Sequence, residues 1–473
     1  MSTEETGKMG LPSLTLFSVC AVLVIDGLTA AASIGPSAIT WWIITLLAFV
    51  IPYIMISSEL GTTYPGEGGI YDWVKRAFGN KWAVRTTWYY WINVALWMPA
   101  VYIMFAGMFA EMFFPGMGLW TQILICIALT ALTVWICNMS VDAGVWVTNL
   151  GALFKVVVIV TLGVGGFIYA AKNGVANEFT LASMTPNFDS ALGFLPVIIF
   201  NLLGFELIAC MGKEIKNPVR DIPKSMMISA ALVTGLYIFG TVGILLAMPV
   251  EDIGLVAGII ATLQTLFGDG AFGNFMVIFI GSLALATFIA NMVTWTMGAS
   301  RAAMEAAQEG ELPEYVAKEH PVHKTPVGAN NITGIVSAVV ILCYGFLAGE
   351  SDELFWSVFA FSSCIFLLPY LLMFPAFLKL RSADPDVERP YRVPGGAAVA
   401  KLITWVCTFF IAQAVFLFIF PEVFSGTIDW AYTIPVAAGV LITMGIGEYL
   451  LARALKRMKQ LESEAGSAAA ENA

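Results

Sequence analysis

The stretch Asp26-Gly27-Leu28-Thr29-Ala30-Ala31-Ala32-Ser33-Ile34-Gly35-Pro36 interrupts one long apolar segment, and Phe200-Asn201-Leu202-Leu203-Gly204-Phe205-Glu206 interrupts another. A helix that crosses lipid satisfies its own backbone, so glycines, a proline and a carboxylate at that depth are tolerated mainly where the chain lines a cavity or is buried in protein. Each interrupted segment opens a set of five apolar spans. Paired interruptions at corresponding places point to a midplane solute site between two repeats, the arrangement of a solute transporter.

Composition agrees with an all-α integral membrane protein. Of 473 residues, 59% are hydrophobic and only 12% are charged, and the mean hydropathy is +0.83. A soluble globule does not have this balance. Stretches long enough to cross about 30 Å of hydrocarbon lie near 14–35, 39–61, 83–112, 119–138, 144–171, 191–211, 226–249, 274–300, 330–348, 354–378, 399–421 and 430–452, about twelve in all. The expected organisation is an N-terminal segment (1–13), a transport core (14–378), a loop (379–398), two additional spans (399–452) and a disordered tail (453–473) rich in Glu, Ala and Ser. Within the core, the first repeat covers about 14–171 and the second about 191–378.

The acidic balance, a net charge of −10, says little about partners, because orientation follows the placement of Lys and Arg. Basic residues cluster after the even-numbered spans: Lys75, Arg76, Lys81 and Arg85; Lys213, Lys216, Arg220 and Lys224; Arg301, Lys318 and Lys324; Lys379, Arg381, Arg389, Arg392 and Lys401; Arg453, Lys456, Arg457 and Lys459. The alternate loops carry Lys172 and a run of acids that includes Glu178, Asp189, Glu251, Asp252, Asp269 and Glu350. A multi-pass protein of the cell membrane with both termini in the cytoplasm is expected, and no removable signal peptide.

Other chemistries find little support. The seven cysteines lie in apolar stretches without CxxC spacing, and His320 with His323 is too small a set for a metal site. No cofactor, metal or nucleic-acid partner is expected. A nucleotide-binding loop is missing, as is a nucleophile with a base partner, which disfavours an ATP-driven pump and an intramembrane enzyme. A passive channel or a solute sensor fits less well than a carrier built around two broken helices.

Three internal ionisable residues, Asp26, Lys155 and Glu206, are costly at bilayer depth and must face something polar. Each could be a structural ion pair or part of a solute path. Thr29, Ala30, Ala31 and Ser33 leave main chain uncovered in the first break, or let neighbouring helices approach. Phe200, Asn201, Gly204 and Phe205 place an amide and a glycine among rings, suited to a polar solute. Thr287, Asn291, Thr294 and Gly298 share one helical face in the eighth span beside Trp295, and Asn93 shares one with Trp97 in the third. Half-helix ends at the breaks can hold a carboxylate at amides and a cation at carbonyls, which suits an amino acid.

Three loop motifs carry a family resemblance. They are Glu59-Leu60 with Tyr64-Pro65-Gly66-Glu67-Gly68-Gly69-Ile70-Tyr71 and Trp73; Glu214 with Asn217-Pro218 and Arg220-Asp221-Ile222-Pro223; and Arg301 with Gly310, Leu312 and Pro313. In this order and on one side, they resemble the amino acid/polyamine/organocation (APC) superfamily, and within it the branch of glutamate/γ-aminobutyrate and other amino acid or amine antiporters. The resemblance implies a five-plus-five inverted repeat with two additional helices and substrate held between the broken first and sixth spans. It also implies proton coupling or gating at Glu206, an aromatic near substrate at Trp295, and an ammonium at Lys155 in the place of a bound sodium. Where many members have Gly-Ser-Gly in the first break, this chain has Thr29 to Ala32. The implied activity is sodium-independent carriage of an amino acid or amino-acid-derived amine, by exchange or proton symport, with a polyamine or organocation as the alternative substrate. Asp26 could meet a substrate ammonium, pair with Lys155 or exchange protons.

Overall fold

The computed structural model describes residues 9–186, 195–254, 258–347 and 352–471. Residues 1–8 of the N-terminal segment, Asp189, Glu350 and the side chain of Asp26 lie outside the described residues. Among the described residues, eleven helices are long and apolar enough to cross a membrane. The remaining crossing is the broken first span, made of Leu11–Val22 and Asp26–Ala32, so about twelve spans result.

The order of elements repeats. A broken span is followed by Ser37–Thr63, a short helix Ile70–Phe78 and the long third span Asn80–Phe113. In the second half, the broken sixth span Leu195–Glu214 is followed by Pro218–Ala247, a short helix Gly258–Phe267 and the long eighth span Ala271–Gln308. Each set holds five crossings, an odd number, so the second set enters from the opposite face and the two are inverted. The spans Gly396–Ile419 and Trp430–Arg457 follow the repeats. Pro52, which cannot donate to the carbonyl one turn back, follows a π-helical widening at Leu46–Val50 in the second span.

The first break is not where the small residues suggest. Asp26–Ala32 is helix, and the chain opens instead at Leu23-Val24-Ile25. Alanine is the best helix former, so the Ala30-Ala31-Ala32 run coils, whereas the backbone turns extended at Leu23, just before the β-branched pair Val24 and Ile25, which favour helix less. A second bend follows at Gly35, whose φ is +84°. The sixth-span break at Asn201–Gly204 falls within the predicted stretch. The tail also differs from expectation: the last helix continues to Glu471, as its Ala, Glu, Lys and Arg content favours.

The loops rich in Lys and Arg meet on one face through ion pairs. Lys213 and Arg301 both reach Glu67, at 2.9 and 3.0 Å, and Arg301 also reaches Glu214 at 3.3 Å. Lys75 pairs with Glu309 and Glu311, and buried Glu59 pairs with Arg381 and Arg389. Arg85 meets Glu448, and Arg457 meets Glu314. Met9 exchanges backbone hydrogen bonds with Glu214 and Lys216 on this same face. Loops after the second, sixth, eighth, tenth and twelfth spans are thus side by side, as an even span count requires.

Candidate functional site

The two breaks lie against each other, joined by the seventh span. Breaking a helix frees amides and carbonyls, and burying them unpaired is costly. The Tyr237 hydroxyl accepts from the Val24 N–H at 2.7 Å and lies 3.0 Å from the Val22 carbonyl and 3.4 Å from that of Asn201. Its ring stacks on Trp42 at 4.5 Å. Gly27 packs so closely on the Asn201 amide that an added Cβ would stand 2.0 Å from it. Gly204 has φ +111°, a conformation other residues seldom adopt, and a Cβ there would lie 2.6 Å from the Trp295 ring.

Between the breaks is a cavity of about 10 Å³, lined by Ala21, Val24, Asn93, Trp97, Phe200, Leu203, Trp295 and Phe366. That is about the room one water needs, so an amine or amino acid enters only if the wall opens. Four of the lining residues are aromatic and none is charged. Trp295 meets Trp97 and Phe366 edge to face, and Phe200 meets the same two rings. The Trp295 indole donates to the Ala21 carbonyl at 3.0 Å. Asn93 Oδ1 and Asn201 Nδ2 are buried with no hydrogen-bond partner among the described residues.

Behind this wall sits Glu206, fully buried. Tyr90 and Tyr370 donate to one carboxylate oxygen at 2.8 and 2.7 Å, and Tyr53 donates to the other. No Lys or Arg pairs with Glu206 among the described residues. Tyr53 also accepts from the Gly204 and Glu206 N–H groups at 3.1 and 3.4 Å, so one hydroxyl closes the C-terminal side of the break and holds the acid. The Tyr90 ring touches Trp295 and Phe366, and the Tyr370 ring touches Phe366. Rings that line the cavity therefore rest on the tyrosines that grip Glu206.

Lys155 stands on the other side of the first span. Its ammonium donates to the Cys20 carbonyl at 2.6 Å and to Asn291 Oδ1 at 2.7 Å. The polar stripe of the eighth span meets neighbouring helices. Thr294 bonds Thr148 at 3.0 Å, and Gly298 packs against Leu207.

Of the residues singled out from sequence, Asn93, Phe200 and Trp295 line the cavity; Asn201, Gly204, Phe205 and Glu206 form or follow the sixth-span break. Thr29, Ala30, Ala31 and Ser33 do not reach the cavity; Thr29 instead faces Gly258, and Ser33 bonds back to Ala30. Ala21, Val24, Leu203 and Phe366 take their place. The cage of Tyr53, Tyr90 and Tyr370, and the brace Tyr237, escaped the sequence reading. A buried carboxylate demands donors, and tyrosines in apolar spans were the signal available for them.

Comparison with known proteins agrees with this architecture. Residues 9–444 match the family model described as amino acid permease. The chain is 34% identical over 95% of its length, and 96% of the relative's, to the "Probable agmatine/putrescine antiporter" of Lactococcus lactis subsp. lactis (strain IL1403). It is 24% identical over 74% of its length to the glutamate/gamma-aminobutyrate antiporter of the same organism, covering 71% of that protein. The branched-chain amino acid permease of Bacillus subtilis (strain 168) is 23% identical over 85% of this chain and 87% of its own. A broken-helix core, twelve crossings and a match over nearly the whole chain lead to one conclusion: this protein belongs to the amino acid permease family of the APC superfamily.

Proposed function

We propose that the protein exchanges small amines derived from amino acids across the cell membrane by alternating access. The observation that carries this reading is the cavity wall: an unpartnered Asn93 carbonyl oxygen among the rings of Trp97, Phe200, Trp295 and Phe366, with no cation beside it. Aromatic faces attract ammonium groups, and the Asn93 oxygen accepts a hydrogen bond from one. The break amides that would receive a carboxylate are already engaged, Val24 N–H by Tyr237 and Gly204 N–H by Tyr53. An amine without a carboxylate therefore fits better than the parent amino acid. The similarity to a protein named as an agmatine/putrescine antiporter supports the same choice.

In this mechanism substrate displaces the Trp295 and Phe366 edges, and the motion passes through Tyr90 and Tyr370 to Glu206. Glu206 changes partners or takes a proton as the site opens. Asn201 and Gly204 supply the polar break, Phe205 backs it beside Tyr53, and Asp26 stands at the start of the second half-helix as a candidate counter-charge. Lys155 neutralises the carbonyl end of the first half-helix, so sodium is not needed. The basic face is cytoplasmic, with both termini there, because Lys and Arg are retained on that side.

The test is counterflow in proteoliposomes loaded with putrescine, agmatine, γ-aminobutyrate, glutamate or leucine. Trans-stimulation by the amines and not by the amino acids is expected. Stimulation by an α-amino acid alone would replace the amine reading with amino acid exchange, and uptake that needs an imposed proton gradient would replace exchange with symport.

A further inference from the structure

Away from the transport site, the basic face carries a groove of about 620 Å³. One wall is the loop after the eighth span, at Leu312, Pro313 and Glu314; the other is the end of the last span, at Leu450, Arg453 and Arg457. Lys456 completes the lining. Arg453, Lys456 and Arg457 are three and four residues apart and so share one helical face. Arg457 reaches Glu314 at 3.0 Å, which neutralises the one acid in the wall. Arg453 and Lys456 are exposed, and neither pairs with a carboxylate among the described residues. Among the described residues, the groove thus keeps two positive charges without an ion-pair partner.

Its depth relative to the bilayer follows from helix geometry. Leu450 lies about 30 Å along the last helix from Trp430, and Arg457 about 40 Å. With Trp430 at one hydrocarbon boundary, the first distance is the thickness of hydrocarbon, and the single headgroup layer beyond it, about 5–7 Å deep, reaches the level of Arg453 and ends before Arg457. Apolar Leu450 therefore stands where acyl chains begin and Arg453 at the level of phosphates, while Lys456, one turn further out, reaches back to that level with its long side chain.

We propose that this groove is a binding site for the headgroup of an anionic phospholipid, with Arg453 and Lys456 on the phosphate and an acyl chain against Leu450. A basic cluster immediately beyond a membrane span is the arrangement that attracts such lipids. The loop that forms the wall also carries Glu311, which pairs with Lys75 at 3.0 Å in the ion-pair lattice. A bound headgroup would brace the side of the protein where those loops meet.

The experiment uses the full-length protein in detergent with mixed phosphatidylglycerol and phosphatidylcholine, reading retained lipid by native mass spectrometry. Wild type should hold phosphatidylglycerol selectively. R453Q should weaken that selectivity about fivefold, and R453Q/K456Q about 25-fold. A melting curve equal to wild type checks that these exposed changes leave the fold intact. Equal retention of phosphatidylglycerol by wild type and the double variant would overturn the site. Displacement by millimolar inorganic phosphate as readily as by added phosphatidylglycerol would overturn the lipid assignment in favour of a free anion, while resistance to phosphate supports it.

Discussion

The Trp295 indole donates to the carbonyl of Ala21 at 3.0 Å, two residues before the first span opens. This bond ties the aromatic wall of the eighth span to the broken helix of the first. The same ring packs over Gly204 in the sixth. One side chain thereby senses both breaks, and the cavity cannot widen without releasing it.

Trp295→Phe keeps a ring in place but removes that donor. A net hydrogen bond is worth about 1 kcal/mol, so a change of roughly fivefold in exchange rate is expected with little effect on insertion. Trp295→Ala should lose most transport and also stability, since emptying such a core position costs about 3–5 kcal/mol. Unchanged kinetics in the Phe variant would reduce Trp295 to packing.

Glu206→Gln preserves the size of the side chain and still accepts from Tyr90 and Tyr370. The expected outcome is a folded protein whose exchange rate no longer varies between pH 5 and 8. Transport measured across that range decides it, and a wild-type profile would remove Glu206 from coupling.

Gly27→Ala drives a methyl into the Asn201 amide. Overpacking of this kind costs about 1–3 kcal/mol, and transport should fall with it. Adding Asn201→Ala makes room and should recover melting temperature but not full transport. A Gly27→Ala protein as stable and active as wild type would mean the two breaks are not packed as described.

Burial pushes the Glu311 carboxyl above its ordinary range, against the pull of the Lys75 ammonium 3.0 Å away. An acid with a raised folded value holds its proton more tightly when folded, so stability is lost as pH rises from the unfolded value through the folded one. Glu311→Gln should then melt like wild type near pH 4 and progressively higher than wild type toward pH 8. A variant that melts progressively lower than wild type as pH rises would show the Lys75 pair to dominate.

Replacement of sodium by choline should leave uptake unchanged, because the Lys155 ammonium already sits on the Cys20 carbonyl. Complete dependence on sodium would refute that role for Lys155.

Much of the architecture was legible from local sums. Hydropathy located each crossing, with ends off by up to eight residues where helices run on past the apolar stretch, as at Pro218 and Gln308, and the placement of Lys and Arg sorted the loops into two sets. The ion pairs of Glu67, Glu59 and Glu314 then join one of those sets. The sixth-span break was legible because Asn201 and Gly204 both disfavour helix. The first was misplaced because glycines and small residues were read as breakers, although Ala30 to Ala32 strongly favour helix. The opening at Leu23 carries no mark as plain as a glycine. It persists because Tyr237, 213 residues away, satisfies the freed Val24 amide.

The sequence by itself determined the all-helical membrane class, about twelve crossings, the two repeats, the grouping of the basic loops and the presence of a buried acid in the sixth span. These follow from free energies of transfer and from charge placement, which are summed over neighbouring residues. Tertiary structure alone decided that Tyr53, Tyr90 and Tyr370 converge on Glu206 from 153, 116 and 164 residues away, and that Ala21 and Val24 of the first span line the cavity. Such meetings depend on how helices rotate and pack against one another, and no local property of the chain encodes that rotation.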